Sequence, residues 1–160
     1  HADTQFRPQL TAHIPVVSGV LSAIIDAEGS GQYAELNEYG QYKVQPVYDK
    51  SSKPSNKGSC YVRMATDYTG GHNGMHFPLT KGTEVLLAFI GGNPDQPVII
   101  GSVPNSENYN VLNNGVQTNN RILTNGGNQI VMNDQTGRQM IGITSPGGIT
   151  AIVLGSIPLK

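Results

Sequence analysis

The sequence has no tryptophan, one cysteine and few charged residues, and each shortage excludes a class of protein. With Cys60 alone, the chain cannot build an intrachain disulfide framework. Charged residues make up 13% of the 160 residues and the formal net charge is −1, which argues against a general polyanion-binding surface. No apolar run approaches the roughly 20 residues that a membrane helix needs, and no secretory signal opens the chain.

Glycine and proline are abundant where these other residues are scarce. The chain has 20 glycines, 10 prolines and 37% hydrophobic residues, a composition typical of a loop-rich all-β protein. Its length predicts one domain, or one domain with an appendage. The first residue is His1 and not methionine, so we expect a processed or excised fragment. Cys60 begins a strand-like run with Tyr61, Val62 and Met64, which predicts a buried, unreactive thiol.

The most informative stretch runs from residue 74 to residue 105. Two apolar strands, Val85–Ile90 and Val98–Val103, flank a Gly-Gly-Asn-Pro-Asp sequence. Glycine and asparagine can adopt a positive φ and proline fixes φ, so this sequence predicts a hairpin turn. Both strands are apolar on both faces, whereas a small antiparallel sheet normally leaves one face to water. We therefore expect something else, such as another copy of the chain, to cover the second face.

Three further strands are predicted before this hairpin, over Val16–Asp26, Gln41–Tyr48 and Ser59–Ala65. Pro46 indicates a bulge or an edge position in the second. A long loop, Thr66–Gly82, separates the third strand from the fourth. Five short strands with this spacing predict an OB-type barrel over residues 16–105, after a linker or extended arm over residues 1–15. No long segment keeps a 3.6-residue period, so helix content should be low.

The composition changes after Asn105, where asparagine becomes frequent. A hairpin is predicted from Gln129–Met132 and Arg138–Thr144, and a last strand from Ile149–Leu154. Residues 106–160 have too few apolar side chains to bury a core of their own, so these strands should need neighbours to stack on. An eight-residue spacing, which would suit a β-helical repeat, relates Ile141, Ile149 and Ile157.

The search for catalytic or metal-binding groups gives weak signals. His72 and His76 are four residues apart, but glycines precede and interrupt them and the glutamate of the HExxH signature is missing, so we interpret them as loop histidines. His13 has no partner at ligand spacing. Acidic residues in the first hairpin are interpreted as solvated turn carboxylates and not a glycosidase pair: Asp26, Glu28, Glu35 and Glu38. We expect no enzyme activity, no cofactor and no metal.

One binding alternative remains open, an OB module that binds single-stranded nucleic acid or an oligosaccharide. Between residues 42 and 63, tyrosines alternate with basic residues: Tyr42, Lys43, Tyr48, Lys50, Lys53, Lys57, Tyr61 and Arg63. Barrels of this class bind single strands through aromatic stacking and basic grooves. Tyr42 and Tyr48 share a face with Val44, however, which favours a place in the core, and the acidic first hairpin could cancel the positive field. We therefore regard nucleic-acid binding as unlikely.

Four stretches resemble motifs of the VgrG-type spike family of type VI secretion and phage tail-spike hubs. They are Glu38–Asp49, Ser59–Ala65, Gly74–Asn105 and Asn128–Gln139. The third resembles the family signature almost position for position, with matches at Pro78, Gly82, Glu84, Val85, Phe89, Gly92, Pro94, Asp95, Pro97 and Gly101. The departures are tyrosine for the family's tryptophan at positions 48 and 61, Thr80-Lys81 for an arginine pair, and Asn93 for aspartate.

The resemblance implies a five-stranded OB-type barrel, then short β-hairpins that lead into an intertwined, trimeric β-helical spike. Residues 106–160 would be the Asn/Gly-rich neck and the start of that spike. Turns are expected at Gly82, Gly92, Pro94 and Gly101, and Val85, Leu87 and Phe89 should pack inside the barrel. Packing beyond the barrel or between chains is expected for Leu86, Ala88, Ile90, Ile130, Met132, Ile141 and Ile143.

The implied function is mechanical, a membrane-puncturing needle in a contractile injection machine such as type VI secretion. The implied partners are two further copies in a homotrimer, hub domains of the same spike, a tube protein, a tip protein and effector cargo. Such a spike would assemble in the bacterial cytoplasm and then be secreted or delivered into a target cell. It would contact the target membrane mechanically, without a membrane-spanning segment.

Overall fold

In a computed structural model the fold is almost entirely β over the described residues, which are 9, 13, 15–29, 33–51, 57–147 and 150–155. Within them the only helical segment is one 3₁₀ turn, Ile90–Gly92, so the predicted all-β class is confirmed. The contacts divide the chain into two compact units, one ending at Val103 and the other beginning at Pro104. Most of the predicted N-terminal arm, together with Ile149 and Ile157, lies outside the described residues.

The first unit contains seven strands: β1 (Val20–Asp26), β2 (Lys43–Pro46), β3 (Arg63–Met64), β4 (Thr69–Gly70), β5 (Asn73–Gly74), β6 (Glu84–Phe89) and β7 (Pro97–Ser102). Five of them form a sheet in the order β2-β1-β6-β7-β3, in which β3 and β7 run parallel and the other pairs antiparallel. An antiparallel bridge between Tyr42 and Val62, with N–H···O distances of 3.0 and 2.7 Å, brings the two edges together. The curled sheet has the strand order of an OB-type barrel, as predicted.

Two strands are shorter than predicted, for local reasons. β2 ends at Pro46, which has no N–H to donate, and it lies at the edge of the sheet, as Pro46 indicated. β3 begins late because the chain bends over residues 58–60, where the Ser59 hydroxyl accepts the Val44 N–H at 2.9 Å. A side chain here replaces a backbone partner.

These shorter strands overturn two predictions about side chains. Cys60 lies in the bend and is exposed, so the prediction of a buried thiol is wrong. Tyr48 follows the end of β2 and is 67% exposed, whereas Tyr42 and Val44 are buried. The interpretation of Tyr48 as a core residue is therefore also wrong, because the alternation of the strand stops two residues before it.

The segment predicted as a long loop contains a small hairpin formed by β4 and β5. His72 lies in its turn with a φ of 69°, the left-handed region that non-glycine residues seldom adopt. The pairing is only two residues long, too short to leave a periodic signal in the sequence.

The barrel core contains apolar side chains from each of its long strands: Ala23, Ile25, Ala27, Ala34, Tyr42, Val44, Val62, Val85, Leu87 and Ile99. Phe89 packs against this cluster, so the predicted inward face of Val85, Leu87 and Phe89 is confirmed. The β6–β7 hairpin is also present, with a bulge where Leu86 pairs with Gly101 but Leu87 pairs with Ile99.

The second unit is one antiparallel sheet, here called the C-terminal sheet, in the order β11-β10-β9-β8. Its strands are β8 (Asn119–Leu123), β9 (Gln129–Asn133), β10 (Met140–Ser145) and β11 (Thr150–Gly155). The predicted hairpin corresponds to β9 and β10, and the predicted last strand to β11. Sequence analysis missed β8, because asparagine and arginine are poor strand signals and pairing with β9 overrides them.

Asparagine side chains order the connection that precedes β8. Asn105 Oδ1 accepts the N–H groups of Glu107 and Asn108 at 2.9 and 2.8 Å. Asn110 and Asn113 make the same kind of turn with the residues two positions ahead. The asparagine-rich composition thus has a structural role, since each side chain satisfies backbone donors that would otherwise need strand partners.

Candidate assembly surfaces

The C-terminal sheet carries two rows of apolar side chains on one face. In the first row Ile143 pairs with Ile130 on one side and with Ile152 on the other, and Ile130 pairs with Ile122. Directly paired residues of antiparallel strands point to the same face. This row therefore crosses all four strands without a polar residue.

The second row lies beside the first. Ile141 pairs with Met132 and with Leu154, and Asn120 continues the row on β8. The two rows together form the isoleucine-rich face, defined as Ile122, Ile130, Met132, Ile141, Ile143, Ile152 and Leu154. Each of these side chains is between 39% and 61% exposed. A contiguous apolar patch of this kind on a protein surface marks an interaction site.

The opposite face of the same sheet is different. Gly142 is buried there, and a Cβ on it would lie 3.2 Å from Val131 Cγ1 and 3.3 Å from Met140 Cε. Arg121 donates two hydrogen bonds to Gln129 Oε1, at 3.1 and 2.8 Å. Polar side chains thus bond to each other on this face, whereas the isoleucine-rich face presents only apolar groups and Asn120.

Four of the predicted packing residues lie on the isoleucine-rich face: Ile130, Met132, Ile141 and Ile143. Sequence analysis did not name Ile122, Ile152 or Leu154. Ile122 belongs to the strand that was missed, and the alternation of Ile152 and Leu154 is hidden because Ala151 and Val153 between them are apolar too. Only the register of the sheet separates the two faces of β11.

The outer side of the barrel carries the other predicted packing residues. Ala88 pairs with Val20 and Val98, and Leu86 pairs with Ser22 and Gly101, all pointing away from the core. Leu86 and Ala88 are half-buried. Ile90 is 49% exposed in the 3₁₀ turn that follows β6.

The signature glycines and prolines occupy different places. Gly82 and Gly92 have φ values of 86° and 75°, which glycine adopts without strain. Gly92 also accepts the N–H of Val17 at 2.9 Å, which attaches the chain before β1 to the hairpin turn. Gly101 lies within β7, beside the bulge, and not in a turn, and a Cβ added to it would meet no atom within 4 Å.

The remaining signature residues frame the β6–β7 hairpin. Pro94 and Asp95 lie in its turn, where the Asp95 N–H bonds to Asn93 Oδ1 at 3.0 Å. Pro97 opens β7 opposite Phe89. Glu84 opens β6, and its carbonyl accepts the Val103 N–H at 2.9 Å.

A cavity of about 450 Å³ opens on the barrel between the ends of β2 and β3. Core side chains such as Val44 and Leu87 line it together with Tyr48, Tyr61 and Asp95. Tyr61 is 39% exposed, and the Lys43 ammonium lies 4.9 Å from the centre of its ring. Two exposed aromatic rings and one cation therefore surround an apolar cavity.

Tyr42 and His76 contact each other although 34 residues separate them. The Tyr42 hydroxyl accepts the Leu79 N–H at 3.0 Å and lies 3.2 Å from His76 Nε2. The two rings are nearly parallel, with an angle of 12° between their planes. Burial raises the pKa of the Tyr42 phenol, and the Leu79 N–H opposes that rise. No spacing in the sequence signals this contact, because it depends on the path of the long loop.

The other predicted polar residues do not converge on a site. His72 is held in its hairpin turn, and no group of three or more His, Cys, Asp or Glu side chains in the described ranges could hold a metal ion. Asp26 Oδ2 accepts the Gly58 N–H at 3.2 Å, and Glu35 Oε2 accepts the Glu28 N–H at 3.1 Å. These carboxylates bond to backbone groups, as expected of turn residues. Among the described residues there is also no helix with the length and hydropathy to cross a membrane.

Residues 37–103 match the protein family described as the type VI secretion system/phage-baseplate injector OB domain. This range includes β2, β3 and the whole β6–β7 hairpin. The match therefore covers the barrel strands that carry the core and the signature residues.

Three relatives are type VI secretion system spike proteins. VgrG5 of Pseudomonas aeruginosa is 35% identical over 104 residues, which are 64% of this chain and 13% of that protein. VgrG1b of the same species is 29% identical over 150 residues, 88% of this chain and 20% of that protein. VgrG3 of Vibrio cholerae is 30% identical over 134 residues, 79% of this chain and 13% of that protein. The chain thus matches a fifth or less of the length of each of these three relatives.

Proposed function

The chain belongs to the VgrG-type family of type VI secretion and phage-baseplate spike proteins, and from this we propose that it is a structural part of such a spike. Its role would be mechanical, as a membrane-puncturing element that acts as a trimer. Residues 16–105 would be the barrel of the spike, and residues 106–160 its neck and the start of a β-helical needle.

One observation carries this proposal, the isoleucine-rich face. Its side chains are about half exposed in one copy, and a four-stranded sheet with one open apolar face is unlikely to be stable on its own in water. Three copies around an axis would turn these faces toward each other and bury them. Burial of apolar area contributes about 25 cal/mol per Å², so seven side chains from each copy would supply a large driving force.

The free edges of the sheet support a mechanical function as well. β8 and β11 each have one edge without a partner in the described residues, and an unpaired edge is a template for further strands. Pairing and stacking with neighbouring strands would extend the sheet along the needle. Rigidity would then come from packing and hydrogen bonds, and the spike would need no catalytic group.

The outer side of the barrel would contact further protein in the assembly. Leu86 and Ala88 lie on it, and Ile90 extends from the turn beside it. The proposed neighbours are hub domains of the spike, a tube protein, a tip protein and effector cargo. We propose that the spike assembles in the bacterial cytoplasm and is then secreted or delivered into a target cell, where it contacts the membrane mechanically.

The experiment that tests the proposal is the mass in solution, by light scattering on a size-exclusion column over a dilution series. A stable mass of about three times 17.0 kDa is expected, and high salt should not reduce it because the contact is apolar. A monomer at every concentration would contradict the proposal for this chain.

A second candidate function, binding of single-stranded nucleic acid or an oligosaccharide, is favoured by the cavity beside Tyr48 and Tyr61. Exposed aromatic rings can stack on bases or sugars, and Lys43 could contact a phosphate. Titration with a fluorescent oligothymidine at two salt concentrations distinguishes the candidates. Binding that weakens steeply with salt would favour this second function, whereas no binding is expected of a spike.

A further inference from the structure

The loop before β6 is attached to the barrel through one buried hydroxyl group. Tyr42 has no exposed surface, and its hydroxyl lies between the Leu79 N–H, at 3.0 Å, and His76 Nε2, at 3.2 Å. Leu79 packs against the core and its carbonyl accepts the Ala34 N–H at 3.0 Å. The Tyr42 hydroxyl therefore connects the core to the segment from His76 to Leu79.

The hydrogen atoms around this hydroxyl can be counted. Its oxygen accepts the Leu79 N–H, so its own proton is available for one acceptor. His76 Nε2 is that acceptor when the imidazole is neutral and carries its proton on Nδ1. All three groups then have a partner, as buried polar groups require.

Protonation of His76 breaks this arrangement. The imidazolium has a hydrogen on both nitrogens and accepts none, so Nε2 becomes a donor toward the Tyr42 oxygen. Two donors then face one oxygen, and the phenol proton lacks its acceptor in a buried position. An unsatisfied buried donor is costly, and the segment must shift to relieve it.

We propose that the contact between Tyr42 and His76 is an acid-sensitive latch, which holds the segment from His76 to Leu79 on the barrel when His76 is neutral and releases it when His76 is protonated. The latch depends on the barrel alone and does not require the proposed spike function. Its consequence is that acid exposes the end of the core that Leu79 covers, while the β6–β7 hairpin stays paired.

Other titratable groups lie near the latch. Tyr39, Tyr68 and His72 line the same hollow as His76, and Asp67 lines the neighbouring hollow with Met75 and Phe77. Tyr39 and Tyr68 stay neutral in the acid range. His72 and Asp67 can change charge there, so the test must separate their effect from that of His76.

Hydrogen exchange of the full chain at pH 7.5 and 5.5, corrected for intrinsic rates, tests the latch. Amides from Met75 to Leu79 should lose protection about tenfold or more on acidification, while the Ile25 amide, bonded to the Thr83 carbonyl, should not change. His76→Gln keeps an acceptor that does not titrate and should abolish this pH response. His72→Asn, which suits the positive φ of that turn, should leave the response intact.

An equal pH response in wild type and His76→Gln would overturn the proposal, as would no response in wild type. The tautomer gives a second reading that does not depend on any variant. The ¹⁵N spectrum of His76 at pH 7.5 should show an unprotonated Nε2, and a protonated Nε2 at that pH would also overturn the latch.

Discussion

The barrel and the C-terminal sheet are built from similar apolar residues, but only the barrel encloses them. Ile99 on β7 has no exposed surface, whereas Ile130 on β9 is 39% exposed in a strand of about the same length. The barrel sheet curls until Tyr42 and Val62 pair, so its inner side chains contact each other. The C-terminal sheet leaves its isoleucine-rich face open. We infer that the barrel is stable as one chain and that the sheet depends on other copies.

The largest expected effect comes from a charge placed on the isoleucine-rich face. Ile143→Asp should weaken association of the chains by about 100-fold or more, because a carboxylate would be buried without a partner in every copy. Thr144→Asp places the same charge on the opposite face of the same strand and should leave the mass unchanged. Light scattering measures both. Wild-type mass for Ile143→Asp would mean that this face does not mediate assembly.

The same substitution in the two units should give different results. Ile99→Ala creates a cavity in the barrel core and should lower the free energy of unfolding of the barrel by about 2 to 5 kcal/mol. Ile130→Ala should change the unfolding of the barrel by less than about 0.5 kcal/mol, since it lies in the other unit. Urea unfolding followed by tyrosine fluorescence measures the barrel. Equal losses would contradict the independence of the two units.

Tyr42 gives the barrel a dependence on alkaline pH. Its pKa is raised by burial above the usual value of 10.0, so its contribution to stability is fully present below pH 10 and is lost as the pH rises through the folded-state pKa. Tyr42→Phe leaves the Leu79 N–H unpaired and should cost about 1 to 3 kcal/mol at pH 8. The difference between the two proteins should shrink above pH 10 in urea titrations. A constant difference up to pH 11 would show that the phenol is not buried.

Two signature glycines provide the smallest contrast. Gly92→Ala should cost about 1 to 2 kcal/mol, because its φ is 75° and a Cβ would lie 2.6 Å from Val16 Cγ1. Gly101→Ala meets no atom within 4 Å and should change the free energy of unfolding by less than about 0.5 kcal/mol. Thermal melting compares the two variants. A larger loss for Gly101→Ala would indicate that another chain approaches it closely.

The sequence predicted the elements whose cause is local. The Gly-Gly-Asn-Pro-Asp turn and the alternation of Val85, Leu87 and Phe89 need no knowledge of the rest of the fold, and both are present. Pro46 likewise placed β2 at an edge. The errors lie where a partner distant in sequence decides the outcome. Ser59 takes the Val44 N–H and leaves Cys60 in an exposed bend, a result that no local pattern contains.

The candidate surfaces were predicted only in part for the same reason. Ile130, Met132, Ile141 and Ile143 stand out because polar residues or glycine separate them. Ile152 and Leu154 do not, since both faces of β11 are apolar, and only the pairing with β10 assigns them. The contact between Tyr42 and His76 depends on the path of a loop, and it could not be found without the structure.

The most direct test of the central claim is cross-linking between chains at the isoleucine-rich face. In a Cys60→Ser background, Ile143→Cys should join copies through a short bifunctional reagent or a disulfide, because the faces meet. Thr144→Cys, on the opposite face of the same strand, should stay uncross-linked. Covalent oligomers from Ile143→Cys alone are the predicted result, whereas equal or no cross-linking of the two variants would contradict the account.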